Sequence, residues 1–178
     1  VSTLAAIIMT PLLTSYLSGS YLEVDALGLF YSTLKVVLFP VALGVILNRF
    51  LPKVTHKIVP FAPPIAVILI TLIVASIIGQ GKEIILNSGI QLLGAILILH
   101  LLGFLLGYIV SKIIFKNEAV SRTMAIEVGM QNSGLGAVLA RENFINPATA
   151  IPSAISSLVH SIYGSIFASI ANKFINKK

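Results

Sequence analysis

The sequence has 178 residues, of which 57% are hydrophobic and 10% are charged, and it contains no cysteine. Soluble domains average about 45–50% apolar and about 25% charged residues, so this composition excludes an ordinary cytosolic fold, a disordered segment and a disulfide-stabilised secreted scaffold. The formal net charge is +6, but the basic residues are scattered over short gaps between apolar segments. This arrangement argues against nucleic-acid binding and is typical of a membrane protein.

Six apolar segments are long enough to be membrane-spanning helices, since about 20 residues cross a hydrocarbon core of roughly 30 Å. They are residues 1–18, 27–47, 59–79, 89–111, 124–140 and 148–171. Long unbroken apolar runs, such as residues 65–78, favour helices over barrel strands, which alternate apolar and polar residues. We therefore predict an all-α membrane protein with six transmembrane helices.

Basic connections between these segments alternate with neutral or acidic ones. The connection at residues 19–26 holds Glu23 and Asp25 and no base. The second and fourth connections and the C-terminal end hold most of the basic residues: Arg49, Lys53, Lys57, Lys112, Lys116, Arg122, Lys173, Lys177 and Lys178. The positive-inside rule places these basic parts in the cytoplasm, and six crossings then place residue 1 there too. We expect a multi-pass protein of the cell membrane with a cytoplasmic C-terminus.

The fifth segment, MAIEVGMQNSGLGAVLA at residues 124–140, is short and polar in its middle. A carboxylate such as Glu127 costs about 2.5–3.5 kcal/mol on insertion scales and normally faces a cavity or a partner. Each glycine lowers helix propensity by roughly 1 kcal/mol relative to alanine, so we expect a break near Gln131. Glu127 and Gln131 are four residues apart and would share one helix face before any break.

Broken membrane helices occur where freed carbonyl groups line a cavity or coordinate a cation. One carboxylate, amide oxygens and freed carbonyls together predict a site for Na⁺. The alternative is that the glycines allow close helix packing and that the polar side chains hydrogen-bond between helices. We favour the ion site, because packing alone does not require a carboxylate.

Two further polar residues lie inside predicted spans. His160 either contacts a substrate or hydrogen-bonds a neighbouring helix, and we expect a structural role for His100. The sequence contains no phosphate-binding glycine-rich loop, no HExxH motif and no GxSxG nucleophile motif. We therefore predict a transporter rather than an enzyme, with no cofactor.

The segment EVGMQNSG at residues 127–134 resembles the signature of the bile acid:sodium symporter family. Further matches are TPLLT at residues 10–14, VVLFPVALG at 36–44, LGFLLGY at 102–108, and His160 followed by Gly164 and Ser165. The resemblance extends over essentially the whole chain. One departure is Ser161, where many bacterial members have asparagine.

The resemblance implies a ten-helix fold of two inverted five-helix repeats, of which this chain is similar to helices five to ten. Residues 1–18 would be the last helix of the first repeat, in the core domain, and residues 27–79 would be two panel helices. Residues 89–171 would be three core helices, including the broken ninth helix at 124–140, and 172–178 a cytoplasmic tail.

The resemblance also implies residue roles in the coupling-ion site. Glu127 is similar to the carboxylate that bridges two Na⁺ sites. Val128 and Met130 would provide backbone carbonyls to the second ion, and Gln131 its side-chain oxygen.

For the substrate, the resemblance implies that Asn132 faces it and that His160 lines its cavity. The implied function is Na⁺-coupled symport of an organic anion by alternating access. The family's remaining Na⁺ ligands would precede residue 1, so we expect a first repeat in the same or a partner chain. Two alternatives stay open, namely coupling to H⁺ with Glu127 as the proton carrier, and a structural or accessory membrane subunit.

Overall fold

The computed structural model of the chain describes residues 2–175, without the side chains of residues 2, 3, 88 and 172–175. All regular secondary structure in this part is helical. The α-helices are α1 (Ser2–Ser18), α2 (Ala26–Phe50), α3 (Pro52–Ile58), α4 (Ala62–Gln80), α5 (Lys82–Phe115), α6 (Glu118–Gly129), α7 (Ser133–Asn143) and α8 (Ile151–Ile175). Short 3₁₀ turns at Val59–Phe61 and Pro147–Ala150 precede α4 and α8.

Four helical segments of the described chain are long and apolar enough to cross a membrane: Ala26–Phe50, Pro52–Gln80, Gly89–Phe115 and Pro147–Ala171. A shorter apolar helix covers Leu4–Ser18. The prediction of an all-α membrane protein is confirmed. The fifth predicted span differs from the others because it is divided between α6 and α7, and Val1 of the first span lies outside the described residues.

Helix boundaries follow local capping and turn chemistry. The Asp25 carboxylate accepts a hydrogen bond from the Gly28 N–H at 2.9 Å and caps α2, and Asn117 accepts from the Val120 N–H at 3.2 Å and caps α6. Lys116, with a φ of 50°, ends α5 in the left-handed conformation. Only Gly81 separates α4 from α5, so residues 82–88, expected as a connection, are helical.

The chain divides into two compact units. The first comprises Val1–Ile73 and Val138–Ala150. In it, α1 packs along α2, whose buried positions Leu29, Thr33 and Val37 recur every four residues. The Ser32 hydroxyl donates a hydrogen bond to Oδ1 of Asn143 at 3.0 Å, which ties α2 to the end of α7 within this unit.

The second unit comprises Val74–Ala137 and Ile151–Lys178. Here α5 packs against α6 and α8. The buried residues of this unit include Phe104, Ala125, Ala137, Ala154 and Val159. The approach of α6 to α5 is close at Gly107, where a Cβ atom would lie 2.9 Å from the Met124 carbonyl oxygen. This unit contains all six of the predicted site residues.

Candidate sodium and substrate site at an interrupted helix

The helix interruption predicted in the fifth segment is present between α6 and α7. Gly129 ends α6, Met130 is extended with φ −93° and ψ 91°, and α7 begins at Ser133. The break precedes Gln131, so the shared helix face expected for Glu127 and an unbroken Gln131 does not apply. Within the break, the Ser133 N–H donates to the Gln131 carbonyl at 2.9 Å.

The packed face of α6 is formed by small residues. Ser121, Ala125 and Gly129 are buried. A Cβ on Gly129 would lie closer than 3.0 Å to three ring atoms of Phe104, so any larger residue there would displace that ring. Close packing, the alternative considered for the glycines, therefore accounts for Gly129, but it does not involve Glu127.

Five of the six predicted site residues are exposed around the break: Glu127, Val128, Met130, Gln131 and Asn132. Glu127 lies two positions from buried Ala125, on the side of α6 opposite its packed face. The Val128 carbonyl oxygen lies beside α5, 3.1 Å from where a Cβ on Gly103 would be. These five residues therefore lie within one short segment, residues 127–132, on both sides of the end of α6.

Asn132 and Met130 also have local structural contacts. The Asn132 side-chain oxygen accepts a hydrogen bond from the Leu135 N–H at 3.2 Å, which caps the first turn of α7. The Met130 side chain lies against α8, because a Cβ on Gly164 would be 2.7 Å from its sulfur. These contacts fix the conformation of the break between two helix ends.

Opposite charges of the helix dipoles meet at this break. The C-terminal end of α6 carries partial negative charge and favours a cation, whereas the N-terminal end of α7 carries partial positive charge and favours an anion. Glu127 adds a carboxylate two residues before the end of α6. The segment therefore combines oxygen donors suited to a hard cation with a helix end suited to an anion.

His160 is buried, with 9% of its surface exposed, and lies one helical turn before Gly164 on α8. Its Nδ1 has no hydrogen-bond partner among the described residues. Its ring packs edge-on against His100, with 5.4 Å between the ring centroids. A buried ring nitrogen without a partner is a group that a ligand could satisfy.

His100 is fully buried, and both of its ring nitrogens are hydrogen-bonded. Nδ1 lies 2.8 Å from the Gly129 carbonyl oxygen, and Nε2 lies 2.6 Å from the Ser156 hydroxyl. These contacts agree with the structural role predicted for His100. Sequence reasoning did not identify Ser156, because its contact to His100 joins residues 56 positions apart and leaves no periodic signal.

An ion cluster lies at the start of α6. Glu118 accepts hydrogen bonds from Lys112, from Arg122 at 2.9 Å and from the Tyr108 hydroxyl at 3.0 Å. These hydrogen bonds lower the pKa of Glu118 to about 2. The bond from Lys112 makes the largest contribution, and the bond from Arg122 makes the next largest. The cluster fastens the end of α5 to the first turn of α6.

A groove of about 610 Å³ runs between α5 and α8 to this ion cluster. Its walls are mainly apolar and aromatic: Leu101, Phe104, Leu105, Tyr108, Tyr163, Ile166, Phe167, Ile170 and Ala171, with Glu118 and Arg122 at the polar end. None of the six predicted site residues, all of which are described, lines it. The groove and the interrupted helix are therefore separate features.

Comparison with known proteins tests the resemblance predicted from the sequence. The sequence model of the Sodium Bile acid symporter family matches residues 1–88. A probable sodium/metabolite cotransporter, BASS1, from Arabidopsis thaliana chloroplasts is 52% identical over 154 residues, which are 86% of this chain and 38% of that protein. These matches confirm the resemblance to the bile acid:sodium symporter family.

Two further relatives show the same resemblance. The probable sodium/metabolite cotransporter BASS2 of Oryza sativa subsp. japonica, also chloroplastic, is 47% identical over 86% of this chain and 37% of its own length. The uncharacterized sodium-dependent transporter YocS of Bacillus subtilis (strain 168) is 39% identical over 87% of this chain and 48% of its own length. The chain spans less than half the length of these three relatives.

The alignments reach beyond the family-model match. An alignment that covers 86% of the chain necessarily includes residues 124–140, which lie far from both ends. The interrupted helix thus falls within the region shared with these family members. The family consists of transporters, which confirms the prediction that the chain is not an enzyme.

Proposed function

We propose that this protein carries out Na⁺-coupled symport of an organic anion, and that the α6–α7 interruption is its coupling site. The observation that carries the proposal is a carboxylate, Glu127, placed two residues before a helix end inside a membrane protein. Such a group is costly in lipid unless it serves an ion or a partner. The relatives named as sodium/metabolite cotransporters and as a sodium-dependent transporter support Na⁺ as that ion.

In this proposal, the Na⁺ ligands are the Glu127 carboxylate, the Val128 and Met130 carbonyls, and the Gln131 side-chain oxygen. All are oxygen donors within five consecutive residues, next to the negative end of the α6 dipole. Na⁺ neutralises Glu127 when it binds. Removal of that charge lowers the cost of a second, anionic solute nearby, which couples the two binding events.

The substrate would lie on the other side of the break, against Asn132 and His160. The N-terminal end of α7 favours the anionic group of the substrate, and Asn132 stands at that end. The unpartnered Nδ1 of buried His160 supplies a further polar contact. Bile-acid-like molecules and small carboxylates both fit this chemistry.

Transport would follow an alternating-access cycle around a site near the membrane midplane. We propose that further ligands come from a first repeat, in the same or a partner chain. The positive-inside rule supports a cytoplasmic C-terminus in the cell membrane. In this orientation the inward gradient of Na⁺ drives uptake of the anion.

The experiment is uptake of labelled organic anions into vesicles that contain the complete protein. An imposed Na⁺ gradient should drive accumulation that a protonophore does not abolish, whereas a matched K⁺ gradient should not. Accumulation that follows a pH gradient without Na⁺ would replace this proposal with H⁺ coupling through Glu127. Absence of any gradient-driven uptake across the substrate panel would favour an accessory subunit.

A further inference from the structure

A single buried histidine connects the two ends of the interrupted helix. His100 of α5 contacts the carbonyl of Gly129, the last residue of α6, at 2.8 Å. Its other ring nitrogen contacts Ser156 of α8 at 2.6 Å, and Ser156 contacts the hydroxyl of Ser133, the first residue of α7, at 2.8 Å. We call these residues, Ser133, Ser156, His100 and Gly129, the histidine clamp.

The chemistry of the groups fixes the direction of these hydrogen bonds. A carbonyl oxygen only accepts, so the Nδ1–H of His100 donates to Gly129. In the neutral ring, Nε2 then accepts from the Ser156 hydroxyl, whose oxygen accepts in turn from Ser133. Each donor in this series of hydrogen bonds has an acceptor. Both ring nitrogens of His100 are therefore hydrogen-bonded when the ring is neutral.

The clamp replaces a hydrogen bond that the break removes. In a continuous helix the Gly129 carbonyl would accept from the N–H of residue 133. That N–H instead donates to the Gln131 carbonyl at 2.9 Å. A buried carbonyl without a donor is costly inside a membrane protein, so His100 stabilises the interrupted conformation.

We propose that His100 is a positioning residue for the sodium site, through its hold on both helix ends. The residues 130–132 lie between the two points that the clamp secures, and Val128 immediately precedes the first. Loss of the clamp would let Val128, Met130 and Gln131 leave the arrangement that binds the ion. This inference rests on the proposed function, since it assigns the clamp to the same ion site.

The test measures Na⁺-dependent uptake by the complete protein for variants that remove different hydrogen bonds of the histidine clamp. His100→Phe keeps a ring but removes both hydrogen bonds of His100. Ser156→Ala keeps the bond between His100 and Gly129 and removes the bonds that Ser156 makes to His100 and to Ser133. His100→Asn retains a donor near the position of Nδ1. Matched controls are His56→Phe on exposed α3 and Ser169→Ala, whose hydroxyl donates a hydrogen bond within α8, to the Ser165 carbonyl at 2.9 Å.

We expect His100→Phe to raise the half-saturating Na⁺ concentration about tenfold, in the range found when outer-shell partners of metal ligands are removed. Ser156→Ala should raise it about threefold, and His100→Asn less than twofold, with maximal uptake at high Na⁺ largely retained in all three. The controls should match the wild type. Should His100→Phe not fold, Ser156→Ala and His100→Asn still give the comparison.

Hydrogen exchange of the amides of residues 130–135 supplies a readout that does not depend on transport. Exchange should be faster in His100→Phe than in His100→Asn and the wild type. Unchanged Na⁺ half-saturation in His100→Phe, or a lower maximal rate with unchanged half-saturation, would overturn the positioning role. If the wild type itself shows no Na⁺ dependence, the proposed function fails, and unchanged exchange in His100→Phe would then overturn the clamp as well.

Discussion

Two carboxylates on α6, nine positions apart, are assigned different roles. Glu118 stands in the first turn and accepts hydrogen bonds from Lys112, Arg122 and Tyr108. Glu127 stands in the last turn of α6, on the side opposite the packed face of that helix. Glu118 attaches α6 to α5. Glu127 is the carboxylate that we propose binds the coupling ion.

The Glu118 cluster should make stability depend on acid pH. The ordinary pKa of 4.5 falls to about 2 in the folded protein, with the Lys112 hydrogen bond as the largest cause. A lowered pKa stabilises the folded state fully above pH 4.5, and this stabilisation is lost as the pH falls towards 2. Thermal unfolding in detergent should therefore show a wild-type advantage over Glu118→Gln at pH 6–7 that shrinks below pH 4.5.

Glu23→Gln is the control for that series, because Glu23 lies in the connection before α2, away from the cluster. The difference in thermal stability between Glu23→Gln and the wild type should not shrink below pH 4.5 in the way expected for Glu118→Gln. A Glu118→Gln difference that stays constant from pH 6 to pH 3 would contradict the assigned pKa.

At the scale of elements, the close contact between α5 and α6 depends on a glycine, Gly129, which has no side chain. Gly129→Ala would place a Cβ atom too close to the aromatic ring of Phe104 on α5. We expect the free energy of unfolding to fall by about 1–3 kcal/mol, the usual cost of overpacking. Denaturant or thermal unfolding in detergent measures this, and Phe104→Leu combined with Gly129→Ala should recover part of the loss because the sites share one contact.

Gly44→Ala in α2 is the matched control, since the added Cβ would have no described atom within 4 Å beyond the adjacent backbone of its own helix. Alanine in a helix interior is favoured over glycine by roughly 0.5–1 kcal/mol, so this variant should be neutral or slightly more stable. Equal destabilisation by the two substitutions would mean that α6 does not pack on Phe104 as described.

Sequence patterns predicted the helices and the interruption because both depend on local composition. Apolar runs indicated the spans, and the glycines around Gln131 indicated the break. The extension of α5 to Lys82 was not predicted, because Glu83 and Asn87 make its first turns polar. The histidine clamp could not be predicted either, because its contacts join residues 29 and 56 positions apart.

At the scale of the whole molecule, the distribution of charge predicts the orientation in the membrane. The sequence has no cysteine, so an introduced cysteine is the only thiol of the chain. A cysteine at Lys53 should react with an impermeant maleimide only from the cytoplasmic side, and one at Glu23 only from outside. Labelling of intact cells against inverted vesicles measures this.

The reverse labelling pattern would invert the topology and place the C-terminus outside. Labelling of both positions from one side would contradict an odd number of crossings between them, which α2 provides. Two outcomes are thus distinguished, a wrong orientation and a wrong assignment of spans.

The central claim is that Glu127 binds the coupling ion, and the Na⁺ dependence of uptake tests it most directly. Glu127→Gln keeps the size of the side chain and removes its charge and its cost in the membrane, so the variant should be well expressed and monodisperse. It should lose Na⁺-dependent uptake, whereas Gln131→Ala should raise the half-saturating Na⁺ concentration a few-fold and still transport at high Na⁺. Glu142→Gln, in the last turn of α7, should behave as the wild type. A Glu127→Gln protein with the wild-type Na⁺ curve would contradict the account.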